Sequence, residues 1–127
     1  VDSLNNAYKE LIDQVNGFVY LANHSESLNI ADSSVEIAFC CNVLDHTESR
    51  SKTLKETHRV LKLGGLFCLS VHCRTKEQLS SLHKQAFTYA ELTAELLESG
   101  FSNLGSRSDR RTADGHIVFD GVFQNGV

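Results

Sequence analysis

The sequence contains no methionine and no proline. A chain that opens at Val1 with no methionine reads as a piece of a longer protein, and without proline its turns must be built from Gly, Asn, Asp and Ser. Also missing is any metal or redox spacing of cysteine. The four cysteines fall as the adjacent pair Cys40-Cys41 and the singles Cys68 and Cys73, with no CxxC, and no HxxxH pairs the histidines. No metal site is expected, and the thiols read as reduced, in a cytoplasmic protein. Asn23-His24-Ser25 spells a glycosylation tripeptide, but so short a match arises by chance and nothing else suggests secretion. Apolar runs are short: Ile37 to Cys41 and Leu66 to Leu69 fall far below the roughly 18 residues that span a bilayer, and no charged-then-apolar leader opens the chain. Basic runs are missing too. A net charge of -4, with nothing more basic than Asp109-Arg110-Arg111, gives no field for nucleic acid or an anionic membrane. The expected partner is a small molecule.

What is present fits one domain. A length of 127 residues, 41% of them hydrophobic, suffices for one core without staples, so residues 1–127 are read as a single domain. Ser3 caps a helix whose apolar positions Leu4, Ala7, Tyr8, Leu11, Ile12 and Val15 follow the i, i+3, i+4, i+7 pattern. Asn16-Gly17 ends it, and Phe18 to Leu21 reads as a short strand. Val35 to Val43 (VEIAFCCNV) is almost continuously apolar, as a central parallel strand covered on both faces would be. A helix from about Arg50 to Lys62 follows, then a buried strand from Leu66 to His72. Gly64 and Gly65 lie between the two and supply a left-handed stop. They precede a strand, whereas a phosphate-cradling loop follows one and opens a helix, so they are not a nucleotide loop.

The helix from Tyr89 to Ser99 is the best specified. Thr88 and Glu91 form a capping box, Phe87 and Leu92 a hydrophobic staple, and Gly100 with Phe101 the stop. Phe101 to Ser106 and His116 to Phe123 then read as an antiparallel pair joined through Arg107 to Gly115. Strands alternating with helices, closed by an antiparallel hairpin, predict an α/β fold: a Rossmann-like three-layer sandwich with a mostly parallel sheet, truncated at its N-terminus. Ligands in such sheets sit beyond the carboxyl ends of the strands, which selects Asp2, Ala22 to Glu26, Cys41 to His46 and His72 to Arg74.

From Glu26 to Ser70 the chain resembles the class I S-adenosylmethionine-dependent methyltransferases, specifically their type 11 small-molecule group. Its ESLNIADSSVEIAFCCNVLDH and RVLKLGGLFCLS look like that family's AExLPFxDxSFDxVxCxxVLxH and RVLKPGGxxxxS, with Leu63 in place of the usual proline. The resemblance implies S-adenosylmethionine as cofactor. It also implies a preceding strand and glycine-rich cofactor loop, but no GxGxG occurs here.

Carried over by position, the cofactor contacts are Asp2, for a ribose diol; His24 and Ser25, beside the adenine; and Cys41, Asn42 and Val43, against whose backbone the cofactor lies. Asp2 reads equally as an acid at a helix start, and His24 as a solvated loop histidine. Cys40 and Cys41 must face opposite ways along the strand, so they do not act as a pair. Asp45 and His46 fall over the expected transfer site: a histidine titrating near neutrality can take a proton from an O or N nucleophile, with Asp45 orienting it. His46 reads equally as a residue that fixes its loop. His72 and Cys73 are in place to line a substrate cavity, and His58 is read as structural.

The leading expectation is methyl transfer to a small-molecule nucleophile, as part of a longer enzyme. The alternative is an inactive methyltransferase-like interaction or regulatory module; a redox or metal protein using the cysteines is the weakest reading. Either way an unpaired VEIAFCCNV edge is expected to drive association, as a homo-oligomer or by pairing with the missing N-terminal segment.

Overall fold

The computed structural model describes residues 25–81 and 85–126. The expected first helix and first strand, and the proposed contacts Asp2 and His24, lie outside the described residues. Four strands form one sheet: β1 (Val35–Cys41), β2 (Leu61–Cys73), β3 (Phe101–Arg111) and β4 (Ile117–Asn125). Their order is β1-β2-β4-β3, with β1 parallel to β2 and both hairpin strands antiparallel to their neighbours. The helices are α1 (Arg50–Val60) and α2 (Tyr89–Glu98). The α/β class and mostly Rossmann-like layout therefore stand.

Alternate residues of β2, from Gly65 to Cys73, point into one buried face, as the two-residue period of a strand requires. There Phe67, Leu69 and Val71 meet Phe119 and Phe123 of β4 and the helix residues Leu54, Leu92 and Leu96. These side chains carry the core, each stabilising the fold by about 1.5–3 kcal/mol on burial. Arg50 ties the helices together: its guanidinium takes both carboxylate oxygens of Glu95 at 2.9 and 2.6 Å and lies 4.6 Å from the centre of the Phe87 ring.

α2 starts and ends as expected. The Thr88 hydroxyl accepts from the Glu91 amide at 3.1 Å, Phe87 and Leu92 are both buried, and Gly100 adopts φ +96. A Cβ at Gly100 would come within 2.6 Å of the His58 ring, which itself stands edge-on to Phe101. His58 is a packing residue.

Three expectations are corrected. α1 ends at Val60, not Lys62, because Leu61 already has an extended backbone while its amide closes the last helical turn on Thr57. The glycines therefore do not stop the helix; they bend the strand. Val35 pairs with Leu61 but Ile37 pairs with Leu66, so residues between Leu61 and Leu66 bulge out, turned by Gly64 at φ +81. Thirdly, β1 is not central among the described residues. It ends at Cys41, where Asn42 turns to φ +57, and it forms the sheet edge with Phe39 75% exposed and Ile37 49% exposed. Its apolar run is covered on one face only.

Candidate functional site

Parallel pairing brings the carboxyl ends of β1 and β2 side by side, and the Asn42 amide bonds the Ser70 carbonyl at 2.7 Å. Beyond β1 the chain winds into a short 3-10 turn, Leu44–His46, which buries Leu44 and Asp45 and leaves the His46 side chain 39% exposed. Beyond β2 comes Arg74, 8% exposed, whose Nε donates to Asp45 Oδ2 at 3.0 Å. The predicted pair Asp45 and His46 is brought together, but loosely: Nε2 of His46 lies 3.8 Å from Asp45 Oδ1, an ion-pair distance rather than a hydrogen bond.

Arg74 joins a wider cluster. Its Nη2 lies 3.4 Å from His72 Nδ1, and its Nη1 lies 3.4 Å from both ring nitrogens of His116. Equal distances to both nitrogens mean that Nη1 straddles the His116 ring and is not aimed at one lone pair. His72 and His116 have ring centres 5.6 Å apart. Arg74 fell inside the strand-end window but offered no motif of its own. His116 is delivered by the β2–β4 pairing, in which Cys73 opposes Ile117, and only a correct strand register would have found it.

Two cavities meet this end of the sheet. The larger, about 530 Å³, is lined by Cys73, Arg74, Phe87, Thr88, Tyr89 and Ile117, with Lys76 and Glu91 among its polar groups. A smaller one, about 230 Å³, lies between β1, α1 and the loop before β1, and holds Ser25, Leu28, Cys40, Val43 and Thr53. Of the expected cofactor contacts, Ser25 and Val43 converge there. Cys41 faces away, onto a shallow groove with Cys68 and Ser70 on the other side of the sheet. Cys40 and Cys41 thus point oppositely, as alternation requires. Burial, then the neighbouring Cys41 and Asp45, push the Cys40 thiol up to about 11, so it is no nucleophile at neutral pH. All four cysteines are free thiols, and among the described residues no group of three or more His, Cys, Asp and Glu is placed to hold a metal ion.

The loop beside the smaller cavity is held by α1. Arg59 donates to the carbonyls of Leu28 and Ile30 at 3.0 and 2.9 Å and to Asp32, while Glu56 accepts from Arg59 and from the Leu28 amide. The Arg59 hydrogen bond first, and the Leu28 amide second, hold the Glu56 carboxyl at about 2 against an ordinary 4.5. An apolar slot rimmed by the hydroxyls of Ser25 and Thr53, which approach each other at 3.3 Å, suits a flat heterocycle such as adenine. The described residues thus fit the adenosyl end of an S-adenosylmethionine.

A parallel pair with an antiparallel hairpin beside it sets the strand ends where ligands of such α/β sheets sit. The methyltransferase domain family matches residues 2–69, more than half the chain, and the protein belongs to the class I S-adenosylmethionine-dependent methyltransferases. No curated protein matches the sequence. Among solved structures, the [4+2]-cyclase SpnF superposes with a TM-score of 0.78 at 14% identity, over 98% of this chain and 62% of that one. An S-adenosylmethionine-dependent methyltransferase from Mesorhizobium loti gives 0.74 at 14% identity, over 94% and 74%. The 1,6-didemethyltoxoflavin-N1-methyltransferase of Burkholderia thailandensis, solved with S-adenosylhomocysteine, gives 0.76 at 17% identity, over 93% and 56%. At such identities the likeness speaks for the fold, and the chain spans less than two thirds of SpnF and of the Burkholderia enzyme. No helix among the described residues is long and apolar enough to cross a membrane.

Proposed function

We propose that this chain is the cofactor- and acceptor-facing part of a cytoplasmic enzyme that transfers a methyl group from S-adenosylmethionine to a small-molecule O, N or C nucleophile. The observation that carries this reading is the shared end of β1 and β2, where the Cys41 to His46 and His72 to Arg74 segments stand between two cavities. Ser25, Asn42 and Val43 would hold the cofactor, together with Cys41 through its backbone and with Asp2 and His24 from the preceding segment. When bound, the cofactor supplies an electrophilic methyl on a sulfonium.

The chain's own work is then largely positioning. The cavity of about 530 Å³ would seat the acceptor against Phe87, Tyr89 and Ile117, and in-line placement can be worth roughly 7–11 kcal/mol. His46 takes the acceptor's proton. Asp45, whose Oδ1 lies 3.8 Å from the His46 Nε2, would stabilise the imidazolium that forms. Replacing His46 by Ala should lower kcat by about 100-fold or more with little change in cofactor affinity. Formation of S-adenosylhomocysteine, followed in the enzyme that includes the upstream strand and loop, reads this directly. Undiminished turnover would remove His46 from the mechanism.

A second reading is an inactive methyltransferase-like interaction module. The β1 edge, without a second strand neighbour among the described residues and with Phe39 and Ile37 exposed, favours it. In either case we propose that this edge pairs with a second copy or with an upstream segment.

A further inference from the structure

The turn Leu44–His46 carries Asp45 and His46, yet its own backbone holds it weakly. The His46 amide reaches the Val43 carbonyl at 2.9 Å, but the Thr47 amide closes the turn on the Leu44 carbonyl only at 3.4 Å. That is beyond the usual range of about 2.7–3.2 Å. What grips the end of the turn is the side chain of Thr47, a buried residue. Its hydroxyl donates to the same Leu44 carbonyl at 2.9 Å and so offers a lone pair to Gln85 Nε2, which donates to it at 3.2 Å. The same Nε2 also donates to the Thr47 carbonyl.

The orientation of the Gln85 amide is forced from both ends, because a guanidinium can only donate and a carbonyl can only accept. Arg50 Nη1 lies 2.7 Å from one end, which must be Oε1, and the Thr47 carbonyl meets the other, which must be the amino group. Arg50 is itself locked in place, with Glu95 on its Nε and Nη2 and the Phe87 ring beside its cation. Phe87 lines the larger cavity. One guanidinium therefore holds a wall of that cavity directly and, through Gln85 and Thr47, the turn that bears His46. Each bond in this chain polarises the next, from the cation toward the Leu44 carbonyl.

We propose that Gln85 is a positioning residue for His46, passing the fixed placement of Arg50 to the Leu44–His46 turn and so setting the imidazole relative to the larger cavity. This rests on reading His46 as the base and that cavity as the acceptor site. Gln85 acts through Thr47 and not on the reacting groups.

Two variants separate positioning from plain support. Gln85→Glu keeps an acceptor for Arg50 but sets a second acceptor against the Thr47 carbonyl, whereas Gln85→Met fills the space and bonds to neither. NMR is recorded on this chain, and turnover is measured on one extended upstream, at a temperature where every variant is fully folded, with His46→Ala beside them. In both variants the amide signals of Leu44 to Thr47 and the ring signals of His46 are expected to move, while those of β2 and β4 stay. A fall in kcat of about tenfold or more should accompany this, as small misplacements of a reacting group bring, with KM for S-adenosylmethionine unchanged. Turn signals that stay native in both variants would overturn the proposal. So would native kcat in Gln85→Glu with loss only in Gln85→Met, since Gln85 would then serve Arg50 alone. Native kcat in both while His46→Ala is impaired would overturn it too. Undiminished turnover in His46→Ala would sink the base reading alone, and the turn signals would still decide whether Gln85 holds the turn.

Discussion

At the scale of single residues, the chemistry sits in side chains whose roles depend on neighbours distant in sequence. Glu56 shows this for stability: Arg59 and the Leu28 amide lower its carboxyl from 4.5 to about 2. A carboxyl depressed on folding stabilises above its unfolded value, and that stabilisation is lost as pH falls through the folded one. Glu56→Gln should therefore lower Tm by a few degrees at neutral pH, with the gap to the native chain closing as pH drops from 4.5 to about 2. A melting series across that window checks it, and the loop before β1, with Ser25 at its start, should loosen in parallel. The places of Asp45 and His46 were legible because they adjoin a recognisable strand, and the strand-end rule selected Arg74 as well, though without a motif. The place of His116 was not, because it reaches Arg74 only through the register of β4 on β2.

At the scale of elements, local signals decided what local physics controls. α2 was readable to within a residue, since its cap, staple and glycine stop are all short-range. The Gly64-Gly65 pair misled for the opposite reason. Its purpose is set by contact with another strand: a Cβ on Gly65 would lie 2.8 Å from the Lys62 carbonyl and 3.1 Å from that of Glu36, both backbone atoms that cannot swing aside. Gly65→Ala should thus cost about 2–3 kcal/mol, as overpacking against fixed atoms does, and should slow or undo β1–β2 pairing. Urea unfolding and amide exchange in β1 measure the two effects. A neutral substitution would mean that the bulge is not held by this close approach.

At the scale of the whole molecule, order β1-β2-β4-β3 leaves β1 at the sheet edge among the described residues, where Phe39 and Ile37 meet solvent. The apolar run of β1 revealed a strand in the sequence, but whether both of its faces are covered is not encoded in the run itself. Self-association is the expected consequence for the isolated chain, and Phe39→Lys should shift it toward monomer in light scattering, since a charge on an edge strand opposes pairing. The central claim is that the exits of β1 and the loop before it form the floor of an adenosyl site. An amide-resolved NMR titration with S-adenosylhomocysteine, on this chain and on one extended upstream, addresses it most directly. Saturable shifts centred on Ser25 and on Cys41, Asn42 and Val43 are predicted; binding that leaves these four amides unmoved, or no binding at millimolar ligand, would contradict it.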